Sequence, residues 1–125
     1  MNVVDSSAWL EYFTDGPNAS FFADPIEDVE ALVVPSICLF EVFKRVLQQR
    51  DENAALRVIA AMQQGTVVDL GAEIAVSAAA LSVDQKLPLA DSVILATART
   101  YGAELWTQDA DFEGMEGVRF RRRSA

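Results

Sequence analysis

Hydrophobic and polar positions divide the chain into short apolar runs and longer segments with helical periodicity. The short runs are rich in Val and Leu and are bounded by turn residues, which is typical of buried strands. These predicted strands are residues 1–4, 31–34, 66–70 (an edge strand), 103–107 and 118–122. The predicted helices are 8–13, 18–30, 37–50, 52–64, 72–86 and 87–99. Because strands alternate with helices, the sequence predicts an α/β sandwich around a mostly parallel sheet.

Capping residues and one proline set the predicted helix boundaries. Ser6 and Ser7 offer an N-cap for the first helix, and Asp51 offers one for the fourth. The second helix contains Pro25, which removes a hydrogen bond when it lies in a helix interior. We therefore expect this helix either to kink at Pro25 or to restart there, with Asp24 as the cap of its second part.

The most apolar helix is predicted at 87–99, where Asp91 precedes a run of Val, Ile, Leu and Ala. A helix with so few polar positions is expected to be buried on most sides. The position of Asp91 at its head also allows the carboxylate to face a cleft.

The amino-acid composition limits the catalytic and metal-binding groups that the chain can use. The chain has 125 residues, which fits one domain over 1–125, and it has a net charge of −9 and no histidine. The lack of histidine excludes imidazole acid–base pairs and histidine metal sites, so any catalysis would rest on carboxylates, Lys, Tyr, Ser or the single Cys. A site that is rich in acids and lacks histidine favours a hard cation such as Mg²⁺ or Mn²⁺. Cys38 is the single cysteine, and neither a signal peptide nor a membrane-spanning run is apparent, so we expect a cytoplasmic protein with no membrane partner.

Four acidic residues follow predicted strands or lie early in helices. Asp5 follows strand 1–4, Asp109 follows strand 103–107, Asp91 heads a helix and Glu41 lies early in another. Ligands bind beyond the carboxyl ends of parallel strands, so these side chains are expected at one edge of the sheet. Two unit charges about 5 Å apart repel by roughly 3 kcal/mol at an effective dielectric of about 20. Such a cluster requires protons or cations, and one or two Mg²⁺ ions would neutralise it.

Each acid also has an ordinary structural interpretation. Asp5 would be a strand-end or capping residue, and Asp91 would complement the helix dipole. Asp109 and Asp111 would be turn residues. Glu41 would pair with a basic residue on its own helix, where Lys44 and Arg45 follow it. The joint placement of the acids at strand ends and helix starts favours a site.

Four sequence motifs carry a resemblance to a known family. They are VDSS at 4–7, CLFEVFKR around Glu41, LAD at 89–91 and TQDADF at 107–112. Together they resemble the PIN-domain ribonucleases and, more narrowly, the VapC-type toxins of bacterial type II toxin–antitoxin systems. The match runs over 5–112 in the order and spacing of the family.

The resemblance implies a PIN-like three-layer sandwich and an endoribonuclease that depends on Mg²⁺ or Mn²⁺. Asp5 and Asp91 match the main metal ligands of the family, Glu41 matches the acid that completes the site, and Asp109 matches the fourth acid. These four are the candidate catalytic and metal-binding residues.

Further implications concern supporting residues and partners. The matching supporting positions are Asp111, Thr107 and Ser7. The resemblance also implies a homodimer, an RNA substrate and a cognate antitoxin that blocks the cleft. Candidates for RNA contact in the basic tail are Arg119, Arg121, Arg122 and Arg123. The alternative for the tail is an edge strand whose charges prevent aggregation.

Two other functions compete with the nuclease. A catalytically inactive PIN-like binding module would keep the fold and the acidic surface without binding metal. A phosphate-handling domain of the receiver or haloacid-dehalogenase type is disfavoured because Ser7 stands where a D-x-D start needs a second aspartate.

Overall fold

The computed structural model describes residues 1–124, and within that range it contains one sheet of five strands. The strands are β1 (Asn2–Val4), β2 (Leu32–Pro35), β3 (Thr66–Val68), β4 (Glu104–Thr107) and β5 (Val118–Phe120). Their order is β3-β2-β1-β4-β5, and neighbouring strands pair in parallel. Val3 of β1 lies opposite Val33 on one side and Leu105 on the other. The predicted α/β fold is confirmed, with β1 at the centre and β3 at an edge.

Helices connect the strands at the predicted positions. They are α1 (Ser6–Phe13), α2 (Ala19–Glu27), α3 (Ser36–Gln49), α4 (Glu52–Met62), α5 (Ala72–Gln85) and α6 (Leu89–Thr100). Short 3₁₀ turns lie at Val29–Ala31 and Ala110–Phe112. In the part of the chain that the structure describes, no helix combines the length and the apolar character that crossing a membrane requires.

The core is centred on α6 and the inner strands. Residues 92–98 of α6 are all buried, and the helix contacts β1, β2 and β4. Trp9, Phe22 and Phe112 are the largest fully buried side chains around it. This packing confirms that the apolar helix behind Asp91 is buried on most sides, and it fixes the position of the helix start relative to the sheet.

The predicted restart at Pro25 is wrong. Pro25 lies inside α2, which continues to Glu27, and Asp24 is a helical residue rather than a cap. Pro25 is buried together with Phe22 and Ile26. Burial of these side chains offsets the hydrogen bond that the proline nitrogen does not donate.

The predicted serine cap of α1 is also wrong. The helix begins at Ser6, and Asp5 is its N-cap, with its backbone carbonyl accepting from the amide groups of Ala8 and Trp9 at 2.9 and 3.0 Å. The serine hydroxyls are used by acidic side chains instead of by the helix terminus. By contrast, the predicted cap at Asp51 is confirmed, because its side chain accepts the amide hydrogen of the third residue of α4 at 2.8 Å.

Candidate active site

Acidic residues lie at the carboxyl edge of the sheet. Asp5 directly follows β1, and Asp109 follows β4, the neighbour of β1. Glu41 lies in α3, and Asp91 lies in the first turn of α6. Only residues 101–103 separate the end of α6 from the start of β4, so the first turn of α6 lies towards the opposite edge, at which the strands end. All four side chains line one cleft of about 430 Å³.

Asp5 is the most buried of these acids, with 3% of its surface exposed. Its Oδ2 accepts hydrogen bonds from Ser7 Oγ at 2.7 Å and from Thr107 Oγ1 at 2.8 Å. Its backbone amide donates to the carbonyl of Trp106 at 2.9 Å, which ties the residue to β4. The carboxylate is therefore fixed from both its own helix and the neighbouring strand.

Glu41 is oriented by a hydroxyl from another element. Ser6 Oγ donates to Glu41 Oε1 at 2.7 Å and so joins the start of α1 to α3. No ion pair links Glu41 to Lys44 or Arg45 within residues 1–124. Glu41 is thus held towards the cleft rather than along its own helix.

The segment after β4 organises two further acids. Thr107 Oγ1 accepts the backbone amide hydrogen of Asp109 at 2.9 Å. The Asp109 carboxylate accepts the amide hydrogen of Asp111 at 2.9 Å and caps the 3₁₀ turn. Asp109 therefore caps the turn and also lines the acidic cleft.

Three carboxylates form a compact group at this point. Asp91, Asp109 and Asp111 each offer an oxygen, and these oxygens lie within 4.8 Å of one another. Asp111, which the sequence resemblance assigns only a supporting role, is exposed and lies outside the residues that line the cleft. Asp5 and Glu41 lie outside the group of three but share the cleft with Asp91 and Asp109.

The electrostatics of the site reflect crowding of negative charge. The pKa of Asp91 is raised to about 8, most strongly by burial and in addition by the negative charges of Asp109, Asp5 and Asp111. Burial also raises the pKa of Asp5, and the charges of Asp109 and Glu41 add to the rise. The hydrogen bonds from Ser7 and Thr107 oppose it because they stabilise the carboxylate.

The donor set fits a hard divalent cation. The site offers carboxylate oxygens, which Mg²⁺ and Mn²⁺ prefer, and no sulfur or imidazole ligand. Asp5 Oδ2 accepts two hydrogen bonds, whereas Oδ1 accepts none from residues 1–124 and remains available to a ligand. A cation would also relieve the repulsion that raises the pKa of Asp91.

The basic tail divides into engaged and unengaged arginines. Arg119 pairs with Glu104 at 2.9 Å and stacks over Trp106, whereas Arg122 pairs with Glu113 at 3.3 Å. Arg121 lies over the ring of Phe21, with its guanidinium carbon 4.3 Å from the ring centre. Arg123 lines the acidic cleft. The structure therefore separates Arg123 from the other three predicted RNA contacts.

Sequence reasoning missed three polar residues around the site. Ser6 binds Glu41, whereas Asn18 and Gln108 are buried and hydrogen-bonded to each other at 3.1 Å. The VDSS motif drew attention to Ser6 only as a cap. Gln108 lies inside the TQDADF motif, but nothing in the surrounding hydrophobic periodicity indicates that its side chain is buried. The sequence carries no signal for the burial of Asn18 either.

These features define an α/β domain whose acidic cleft lies at the carboxyl edge of a parallel sheet. The sequence profile of the PIN domain family matches residues 3–118, and the chain belongs to that family. No curated protein sequence matches it.

Solved structures similar to this chain include toxins and toxin–antitoxin complexes. A chain in a toxin–antitoxin complex from Klebsiella pneumoniae is 25% identical, with a TM-score of 0.81 over 95% of this chain and 96% of that chain. VapC20 of Mycobacterium tuberculosis, a sarcin–ricin loop cleaving toxin, is 18% identical, with a TM-score of 0.75 over 95% and 99%. DNA-bound VapBC from Salmonella typhimurium is 15% identical, with a TM-score of 0.74 over 97% and 96%. The resemblance to VapC-type PIN domains is thus confirmed at the level of family and fold.

Proposed function

We propose that the protein is an endoribonuclease toxin that depends on Mg²⁺ or Mn²⁺ and is neutralised by a cognate antitoxin. The observation that carries the proposal is the cleft in which Asp5, Glu41, Asp91 and Asp109 converge. Membership of the PIN domain family and similarity to toxin–antitoxin structures support it. The reaction is hydrolysis of an RNA phosphodiester, in which water adds to phosphorus and the 3′ oxygen leaves, giving a 5′-phosphate.

The acids and the polar groups beside them have different roles in this proposal. The cation would be held by the four carboxylates of Asp5, Asp91, Asp109 and Glu41. When bound, such a cation lowers the pKa of its water and stabilises the charge on the leaving oxygen. Ser7 and Thr107 hold the Asp5 carboxylate in one orientation, and Ser6 does the same for Glu41. Asp111 supports the site by donating its backbone amide hydrogen to Asp109.

Partner binding belongs to the same proposal. Phe40 and Leu47 of α3 are 64% and 45% exposed, and together with Leu39, Phe43 and Ile59 they line an apolar groove. Large exposed apolar side chains in one groove are unusual on a monomer and favour protein contacts. We propose a homodimer and an antitoxin as its partners, in the cytoplasm, where the free thiol of Cys38 stays reduced.

The first test is cleavage of total cellular RNA by the antitoxin-free protein. We expect discrete products with Mn²⁺ or Mg²⁺ and none with EDTA. Asp91→Asn is expected to lower the rate by more than about a hundredfold, because loss of even a supporting residue of a metal site costs about ten- to a hundredfold.

A matched control is Asp84→Asn, which changes an exposed aspartate whose side chain contacts Gln85 outside the cleft. This variant should cleave like the parent. Equal cleavage by Asp91→Asn and the parent would contradict the proposal. Absence of both cleavage and Mn²⁺ binding would instead favour the inactive binding module.

A further inference from the structure

Two arginines line the acidic cleft, and neither forms an ion pair with an acidic residue among residues 1–124. Arg45 reaches it from α3 and Arg123 from the C-terminal tail. The ion pairs found in residues 1–124 are Arg119–Glu104 and Arg122–Glu113, so neither cleft arginine takes part in one. An arginine beside several carboxylates that nevertheless remains unpaired has its donors available for a ligand.

The position of Arg45 follows from helix geometry. It lies four residues after Glu41 on α3, and side chains at this spacing share one face of a helix. Because Glu41 accepts a hydrogen bond from Ser6 and forms no ion pair with Arg45 within residues 1–124, the same face presents both an acid and a cation to the cleft.

The position of Arg123 is set by the backbone that precedes it. The amide group of Arg121 donates to the carbonyl of Thr107 at 3.0 Å, and the carbonyl of Arg122 accepts from Asn18 Nδ2 at 3.0 Å. Asn18 also donates to Gln108 Oε1 at 3.1 Å. The tail is therefore tied to buried polar groups next to the site up to the residue before Arg123.

The charge balance of the cleft suggests that these arginines bind phosphate groups. Its lining contains five acidic residues and two arginines, and the whole chain carries −9. A polyanion such as RNA is repelled by this field except where guanidinium groups or a bound cation face it. Guanidinium groups bind phosphate through two parallel hydrogen bonds, which fixes position as well as adding affinity.

We propose that Arg45 and Arg123 bind backbone phosphates of the RNA that flank the scissile phosphodiester in the acidic cleft. This inference rests on the proposed function and names the residues that position its substrate. Arg119, Arg121 and Arg122 do not line the cleft, and they contact Trp106, Phe21 and Glu113 respectively, so we do not assign them this role.

The test is the salt dependence of RNA binding in an Asp91→Asn background, which suppresses cleavage. The probe is a fluorescein-labelled single-stranded oligouridylate, titrated by anisotropy with Mn²⁺ present. Each phosphate contact on a single strand contributes about 0.7 to the slope of log affinity against log salt. Arg45→Ala and Arg123→Ala should each reduce the slope by about 0.7, and the double variant by about 1.4.

Matched controls are Arg57→Ala on α4 and Arg119→Ala in the tail, both exposed arginines outside the cleft. These two variants should leave the salt slope unchanged. Arg45→Lys should also keep the parent slope, because it keeps the positive charge in the cleft. In the cleavage-competent protein, the two alanine variants should raise KM with little change in kcat.

Different failures have different meanings. If the parent cleaves RNA but neither alanine variant changes the slope, the inference is wrong and the proposed function stands. If both variants bind RNA normally and lose only the antitoxin, the arginines serve an acidic segment of that protein and the inference is wrong. If the parent neither cleaves nor binds RNA, the proposed function fails as well.

Discussion

Thr107 Oγ1 lies 2.8 Å from the carboxylate of Asp5, a residue 102 positions away in the chain, and donates a hydrogen bond to it. The same oxygen accepts the backbone amide hydrogen of Asp109 at 2.9 Å. One fully buried hydroxyl thus connects acids that follow two neighbouring strands. Removal of this hydroxyl should therefore alter the positions of both Asp5 and Asp109.

We predict that Thr107→Val weakens Mn²⁺ binding about tenfold. Valine keeps the volume of threonine, so the change removes a hydrogen bond to a charged group, which contributes about 1.5–3 kcal/mol. Calorimetric titration with Mn²⁺ measures the effect. Thr97→Val is the matched control, because Thr97 is buried and, within residues 1–124, its hydroxyl donates to the carbonyl of Val93 on its own helix and to no acid of the cleft. Equal losses of metal affinity in both variants would contradict the assigned role.

The raised pKa of Asp91 predicts how the metal-free protein responds to pH. This pKa is about 8 in the folded state against 3.8 for the free side chain. Between these values the folded state binds more protons than the unfolded state, so the stability due to Asp91 is present at low pH and lost as the pH rises through about 8. Asp91→Asn removes the charge and should remove this loss.

The expected difference in unfolding free energy is roughly 1–2 kcal/mol in favour of Asp91→Asn at about pH 9, shrinking towards zero at about pH 4. This figure is smaller than the full shift implies because Asp91 is only half-buried and solvent screens its charge. Urea unfolding in EDTA across this pH range measures it. A difference that stays constant with pH would show that the charge of Asp91 is not its source.

Addition of metal should raise the free energy of unfolding, because the cation neutralises the crowded carboxylates. Mn²⁺ at about a hundred times its dissociation constant stabilises the folded state by about 2.7 kcal/mol. Below about pH 8 the cation must displace the proton on Asp91, so affinity should fall as the pH is lowered. Thermal unfolding with Mn²⁺ and then with excess EDTA measures this effect. Asp84→Asn should respond like the parent, and Asp91→Asn should respond much less.

The acids of the site were predictable because their positions follow from topology. Asp5 directly follows a strand and Asp91 heads a helix, and parallel strands bring such positions to one edge. The alternation of strands and helices predicted the parallel sheet, and the apolar run after Asp91 predicted the buried helix α6. The local prediction of a helix restart at Pro25 was wrong, because the burial of neighbouring apolar residues outweighed the helix-breaking preference of proline.

The polar groups that hold the site were not predictable in the same way. The hydrogen-bonded residues Ser6 and Glu41 are 35 positions apart in the sequence, and Asn18 and Gln108 are 90 positions apart. Such pairs depend on the final packing of elements distant in the chain, and serine, asparagine and glutamine have equally good local roles in caps and turns. The unpaired state of Arg45 likewise depends on which acids end up near it in the folded chain.

Asn18 supplies the last prediction, because it is the buried residue that holds the tail beside the cleft. Its side chain donates to the carbonyl of Arg122 and to Gln108, so Asn18→Ala frees the tail beyond Arg121 and leaves the buried amide oxygen of Gln108 without this partner. We expect a loss of about 1–3 kcal/mol of stability. We also expect the salt slope of RNA binding to fall by about 0.7, as in Arg123→Ala.

A double-mutant cycle separates these two effects. If Asn18 acts on RNA only by positioning Arg123, then Asn18→Ala has no further effect on the slope once Arg123 is alanine. Asn53→Ala, which changes an exposed asparagine on α4, is the control and should alter neither stability nor slope. Additive effects of Asn18→Ala and Arg123→Ala on the slope would mean that the tail network does not position this arginine, and that Asn18 affects RNA by a separate route.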